Sequence, residues 1–332
     1  MSDVVLVTGA TGFIGSRLVQ ELVESGAPVR VLVRRAELLP PAIRSRIEIV
    51  PGDLRDPGAP ATAVPGARTV LHLAAYCRTW SRDPAIFSEI NVHAVERLLE
   101  AARRFGVERL VHVSTNLTLP AGQRPPPDQP LPLSTPYSET KRAGERLVES
   151  YAAAGHAAVI VHPTRVYGPG PLTDANALSK IIAAYLRGRF RFRIDDGDVI
   201  ANYVHVADVV EGIRLAARGG RSGAHYLLGG ENLSFREFLD HVAEISGVRH
   251  RVVALPPGAA LALGYAALLY GHLGGNAPIT PGWVRSLLGD WRADSEPARR
   301  DFGYTAHPAR ERLAETIAWI RNATPAQWPV AA

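Results

Sequence analysis

Along the first half of this chain, residues come in short, mostly apolar runs, separated by longer stretches in which apolar positions recur at helical spacing. The runs are residues 4–7, 29–33, 47–50, 70–73, 110–113 and 158–162. Their length and their Val, Ile and Leu content fit strands buried on both faces, which lack the alternation of a half-exposed strand. Between them, residues 92–105 and 138–153 give the clearest amphipathic helices. Strand and helix in turn predict an α/β fold, a Rossmann-type doubly wound parallel sheet.

After His162 the rhythm changes at Tyr167-Gly168-Pro169-Gly170-Pro171. Residues 1–164, with about 198–228, therefore read as the sheet domain, and about 165–197 and 229–332 as a smaller C-terminal substrate domain. Tyr203 to Asp208 reads as the segment that returns the chain to the sheet. Residues 120–136 hold seven prolines and predict a loop leading into Tyr137, because Pro lacks the N–H that a helix interior or a central strand needs.

Two clusters carry chemistry. Directly after the first strand comes Thr8-Gly9-Ala10-Thr11-Gly12-Phe13-Ile14-Gly15, opening a helical pattern. Gly9 permits a tight turn, Gly12 lets the backbone approach a pyrophosphate, and Gly15 lets the helix pack close to the strand, with the helix N-terminus facing the phosphates. The second cluster is Tyr137-Ser138-Glu139-Thr140-Lys141, whose phenol and ammonium share one helix face. Of 37 Lys and Arg residues only Lys141 and Lys180 are lysines. A position that keeps Lys in so arginine-rich a chain points to a need for a compact ammonium with an adjustable pKa.

Together these residues resemble the extended branch of the short-chain dehydrogenase/reductase superfamily, whose signatures are Thr-Gly-x-x-Gly-x-x-Gly and Tyr-x-x-x-Lys. Gly52-Asp53-Leu54, His72-Leu73-Ala74-Ala75, Asn91-Val92, Val113-Ser114-Thr115 and His162-Pro163-Thr164 follow in family order. Arg78 to Asp83, Gly229 to Ser234 and Leu255-Pro256-Pro257 look like the dihydroflavonol reductase and 3β-hydroxysteroid dehydrogenase relatives, and also like bacterial proteins labelled hopanoid-associated sugar epimerases.

The resemblance implies hydride transfer between a nicotinamide and a carbonyl or carbinol carbon. It makes Tyr137 the general acid or base and gives Lys141 two tasks, lowering the phenol pKa and holding the nicotinamide ribose. Thr115 matches the family's substrate hydrogen-bonding residue, with Ser114 the alternative. Gly9, Thr11, Gly12, Phe13, Ile14, Gly15, Asp53, Leu54, Ala74, Ala75, Pro163 and Thr164 would line the cofactor, Asp53 at the adenine edge. At the end of the second strand stand Arg34 and Arg35, where an NAD enzyme usually has a carboxylate, so NADP(H) is expected over NAD(H). The expected function is an NADP-dependent oxidoreductase for an apolar ketone, aldehyde or secondary alcohol. A nucleotide-sugar epimerase retaining NAD is the alternative. Asn116-Leu117 replaces the acidic pair of the dehydratases, whereas Arg189, Arg191 and Arg193, alternating with Phe190 and Phe192, suit a sugar-nucleotide diphosphate. A cofactor-binding protein without turnover is a third class, against which the Thr115, Tyr137 and Lys141 set argues.

Composition adds limits. Net charge is +5 with no basic block interleaved with aromatics, which argues against nucleic acid as partner. The single cysteine, Cys77, excludes an internal disulfide, and the first residues enter a strand without a leader pattern; both fit a cytoplasmic enzyme. The eleven histidines show no ligand spacing, so no metal is expected. Residues 258–271 are apolar and free of charge, too short to span a bilayer yet able to line a substrate lid or rest on a membrane surface. The expected assembly is a homodimer through helices 92–105 and 138–153, where Ala143, Ala152, Ala153 and Ala154 permit close approach.

Overall fold

The computed structural model describes residues 3–119, 135–194, 198–275, 277 and 279–323; most of the proline-rich loop lies outside them. Six strands, β1 (Val4–Thr8), β2 (Val29–Val33), β3 (Glu48–Pro51), β4 (Ala67–His72), β5 (Arg109–Val113) and β6 (Ala158–Pro163), join a seventh, His225–Leu228, in one sheet. The order across the sheet is His225–Leu228, β6, β5, β4, β1, β2, β3, and every neighbouring pair is parallel.

Both faces of the sheet are covered. Val7, Val31, Val33, Leu71, Val111, Val113, Val159 and Val161 point to one side, against the helices Phe13–Glu24 and Val206–Gly219. Leu6, Leu32, Val70, Leu110, Ala158 and Ile160 point to the other, against Ala94–Arg104 and Pro136–Ala153. This double burial keeps the central strands mostly apolar, since neither set of alternate residues meets water, whereas the edge strand β3 exposes Glu48 and Pro51. Strand order reverses between β1 and β4, and ligands of open α/β sheets bind at such a switch point, beyond the carboxyl ends of the strands.

The remaining strands form two small sheets. Ile200–His205 pairs antiparallel with Glu231–Ser234 and parallel with Arg165–Tyr167. Phe192–Ile194 pairs parallel with Val253–Leu255. The expectation that Tyr203 to Asp208 re-enters the main sheet is therefore corrected. Its strand belongs to the small sheet, and the chain rejoins the main one at His225–Leu228 after the helix Val206–Gly219. The alternating Arg189 to Arg193 face is corrected as well. Of the three arginines only Arg193 lies in a strand, where its guanidinium donates to the Val252 carbonyl at 3.2 Å, while Phe190 turns in to meet Phe235. The buried carboxylate of Asp208 accepts from His307 Nδ1 at 2.8 Å and from Arg312 at 2.7 Å, tying the Val206–Gly219 helix to the C-terminal segment.

Candidate active site

The turn after β1 is built around glycine. Gly9 has φ +73°, and a Cβ there would sit 2.6 Å from Ala74 N, the residue that follows β4 and Leu73. A Cβ on Gly15 would run into the Gly9 carbonyl. Only glycine lets the strand end, the turn and the first helix come this close. Gly12 N-caps the helix Phe13–Glu24 with no side chain over its first N–H groups, an arrangement that accepts an anionic pyrophosphate. Phe13 is buried while Thr11 and Ile14 are half-buried, and Thr8 Oγ1 lies 2.7 Å from His72 Nδ1 beneath the turn. These residues fit a dinucleotide.

At the tip of β2, Arg34 and Arg35 are both exposed. Asp53 is held by Arg55, which donates at 2.8 Å from its guanidinium and at 2.9 Å from its backbone N–H, with Arg34 3.9 Å away. Burial would raise the Asp53 pKa, but the Arg55 hydrogen bonds and the two arginine charges outweigh it and hold the carboxyl low. Leu54 and Pro163 are buried, Ala74 and Ala75 half-buried, and the Thr164 hydroxyl donates to Asn202 at 2.8 Å.

The helix Pro136–Ala153 starts on a reciprocal cap: Ser138 N donates to Thr135 Oγ1 at 3.1 Å and Thr135 N donates to Ser138 Oγ at 2.9 Å, with Pro136 in the first turn. The cap fixes Tyr137 at the mouth of the site, and Lys141 one turn deeper. The Thr115 hydroxyl is hydrogen-bonded to the Tyr137 side chain, whereas the Ser114 hydroxyl donates to buried Glu145. The two neighbouring hydroxyls thus point to different partners, and Thr115 is the one beside the phenol.

Lys141 is buried and its Nζ donates to the Val113 carbonyl at 2.9 Å, with His112 Nε2 at 3.3 Å. Burial lowers its pKa to about 8, against the pull of Glu145 and Cys77. Burial likewise raises the Tyr137 phenol well above its ordinary value, and Cys77 and Glu145 push the same way. The expected lowering of the phenol by Lys141 is not found, because the ammonium is turned down onto the end of β5. The other lysine, Lys180, is exposed and meets Asp174 at 3.0 Å, so the rarity of Lys singles out a buried position in one case and not in the other.

Three residues outside the candidate catalytic and cofactor-binding set hold this geometry. Glu145, one turn beyond Lys141, accepts from Ser114, from Thr118 at 2.7 Å and from Arg142 at 3.0 Å. It clamps the loop after β5, which carries Thr115, to the helix that carries Tyr137. Asn91 accepts from Tyr76 N at 2.8 Å and donates to Thr140 Oγ1 at 3.1 Å, joining the loop after β4 to the same helix. His162 donates from Nδ1 to the Thr115 carbonyl at 3.0 Å and meets His225 Nδ1 through Nε2 at 2.9 Å. Glu145, His162 and His225 lie close enough together to hold a metal ion, a convergence that linear spacing does not show. Their ligating atoms are taken up by the hydrogen bonds just described. Burial drives the His162 pKa down to about 4, so the ring is neutral near pH 7. Glu145 at i+4 from Lys141 was readable as a helix pair; Asn91 and His162 required the fold.

Residues 5–229 match the model of the NAD dependent epimerase/dehydratase family. The chain is 30% identical to the 4-hydroxy-2-methyl-3-oxo-4-farnesyl-3,4-dihydroquinoline-1-oxide ketoreductase of Stigmatella aurantiaca, over 96% of each chain. It is 29% identical to a 3β-hydroxysteroid dehydrogenase/Δ5→4-isomerase of Mycobacterium tuberculosis, covering 90% of this chain and 85% of that one. Among solved structures, MoeE5 in complex with UDP-glucuronic acid and NAD superposes with a TM-score of 0.76 at 32% identity, over 96% of this chain and 99% of that one.

Proposed function

This chain belongs to the NAD dependent epimerase/dehydratase family, and on that premise we propose that it is an NADP-dependent reductase of an apolar ketone or aldehyde, running the reverse oxidation of a secondary alcohol when the cofactor ratio favours it. That it is an oxidoreductase of the extended short-chain type, using a nicotinamide dinucleotide, follows from the family and its relatives. Preference for NADP(H), the substrate class and the roles of individual residues are our reading.

Bound at the glycine turn, the cofactor supplies or accepts hydride. Tyr137, half-buried and protonated, donates the proton to the carbonyl oxygen, and Thr115 orients that oxygen by hydrogen bonding. Lys141 fixes the cofactor ribose. The observation that carries the cofactor preference is the Arg34 and Arg35 pair, exposed at the tip of β2, whose nearby carboxylate, Asp53 on the loop after β3, is already held by Arg55. A guanidinium there forks onto a ribose phosphate, whereas NAD enzymes place an acid at the same point.

Replacing Arg34 with Asp is therefore expected to move the NADPH/NADH ratio of kcat/KM by at least about tenfold toward NADH, because one charge-assisted hydrogen bond is worth that factor or more. Kinetics with both cofactors measures it, and an unchanged ratio removes the assignment.

A second reading, a nucleotide-sugar epimerase that retains NAD, is favoured by Arg165. This half-buried arginine lies just past β6, donates to the Ser286 carbonyl at 2.8 Å and stands 5.9 Å from the Tyr203 ring centre, where a diphosphate would find a cation. The similarity to MoeE5, solved with UDP-glucuronic acid and NAD, points the same way. The two readings differ in whether the nicotinamide leaves the protein after each turnover.

A further inference from the structure

The helix Pro257–His272 is built inside out. Its buried residues are the small ones, Ala260, Gly264 and Gly271, while Leu263, Tyr265, Leu269 and Tyr270 are exposed, the last two by 62% and 63%, and Leu273 just beyond by 79%. The glycines allow this: a Cβ on Gly264 would come within 3.0 Å of Pro281 N, and one on Gly271 within 3.2 Å of the Trp80 ring. Small residues bring the helix down onto its neighbours, and the large apolar ones are turned outward.

The patch is local. Among the described residues, every strongly exposed large apolar side chain except Leu38 lies on or near this helix in sequence or pairing: Phe192 and Val253, which pair directly across the strands leading into it, and the five just named, with Ile279. A water-facing helix presents polar residues outward, so an apolar outer face of this extent marks an interaction surface.

Charge identifies the occupant. Residues 245–289 contain no Asp or Glu, and their charged side chains are Arg249, Arg251 and Arg285. Arg285 donates to the Tyr265 hydroxyl at 2.9 Å, and Arg82 donates to the Gly274 and Gly275 carbonyls at the other end of the helix. Two tyrosines and an apolar face bounded by arginines match the headgroup region of an anionic bilayer. A second copy of this chain paired about a two-fold axis would instead set this basic rim against itself. The helix has 16 residues, and no described helix is long and apolar enough to cross a membrane, so it would lie in the interface.

The same element borders the candidate site. The helix Pro281–Leu288 packs beside it, and a Cβ on Gly282 would touch the Thr135 methyl, the cap of the Tyr137 helix. Trp80, in the loop after β4, stands against Gly271 and His272. We propose that this protein docks reversibly on anionic lipid bilayers through the Pro257–His272 helix, with the entrance to the Tyr137 site facing the lipid so that apolar substrates enter from the membrane. This deepens the apolar-substrate reading, yet it is tested with no substrate present, so either can fail alone.

The test is co-sedimentation of the full chain with phosphatidylcholine vesicles and with vesicles also containing phosphatidylglycerol. The protein is expected to pellet with the anionic vesicles at low salt and to be released as salt rises. Leu269→Glu with Leu273→Glu changes only exposed positions and is expected to lower partitioning at least about tenfold with the melting temperature unchanged, since each leucine loses its burial in the acyl boundary. Leu38→Glu, on an unrelated face, should bind as wild type. The proposal is overturned if wild type stays in the supernatant with anionic vesicles, or if Leu38→Glu weakens binding as much as the double variant. It is also overturned if the double variant lowers the molecular mass by light scattering. The homodimer expected through residues 92–105 and 138–153 leaves this face free, so a loss of mass would mean that the face joins two copies.

Discussion

Tyr137→Phe is expected to lower kcat by about 10² to 10⁴, the usual contribution of a general acid, while the dissociation constant of the cofactor changes little. The substitution removes one oxygen. That oxygen is the group hydrogen-bonded to Thr115, at the start of a helix whose cap is made by Thr135 and Ser138 and survives the change. Burial raises the phenol pKa, so the proton stays in place across the neutral range and is available for donation in the reductive direction. Stopped-flow turnover with a ketone that the wild type reduces, together with cofactor titration, separates the two effects. Retention of more than about a tenth of kcat, far above what loss of a general acid leaves, would assign the proton to another group.

Glu145→Ala should be the most destabilising single change near the site, costing about 3 to 5 kcal/mol, as removal of one partner of a buried ion pair does. The carboxylate is fully buried and accepts from Ser114, Thr118 and Arg142; its loss takes the acceptor from the Ser114 hydroxyl and leaves the nearly buried Arg142 guanidinium with only Glu149, at 3.2 Å, for a carboxylate partner. Burial alone would raise its pKa from the ordinary 4.5, but the attraction of His162, which charges only in the acid range where Glu145 itself titrates, and the Ser114 and Thr118 hydrogen bonds prevail and lower it. A depressed folded pKa means that this contribution is complete above about pH 4.5 and is lost as pH falls through the folded value, so urea unfolding is best compared at neutral pH. A loss under about 1 kcal/mol, the scale of a surface pair, would show that the carboxylate is solvated.

The six strands β1 to β6 were legible because a strand covered on both faces is mostly apolar, a signal that survives Arg30, His72 and His112 within the strands and the exposed Glu48 of the edge strand β3. The seventh was not: His225–Leu228 is only four residues long, and its His225 is polar. Ile200–His205 has the same apolar character as a central strand, yet periodicity does not say which sheet receives it. The helix expected from residue 92 begins as a widened turn over Glu89–His93, where Gly144 of the crossing helix comes so close that a Cβ would meet the Asn91 carbonyl. Local spacing cannot report such a crossing.

At the site, the motif residues were readable because their chemistry is tied to a turn or a helix face. Gly9 with its positive φ and Tyr137 one turn from Lys141 are local facts. The choice between Ser114 and Thr115 was not readable, since it depends on where Glu145 stands across the helix. Nor was the orientation of Lys141, whose ammonium finds the Val113 carbonyl on a neighbouring strand. The inside-out character of residues 257–272 shows the same limit: the sequence displays an apolar helix, and only packing reveals that its glycines face inward.

The central claim is that the nicotinamide exchanges with each turnover and carries the extra phosphate. It is tested most directly by denaturing the purified protein and identifying the released nucleotide by mass spectrometry, followed by titration of the nucleotide-free protein with NADPH and NADH. The account predicts either no retained nucleotide or NADP(H), and tighter binding of NADPH. NAD retained in a one-to-one ratio and released only on denaturation would contradict it, and would assign the site to chemistry in which the hydride returns to the substrate.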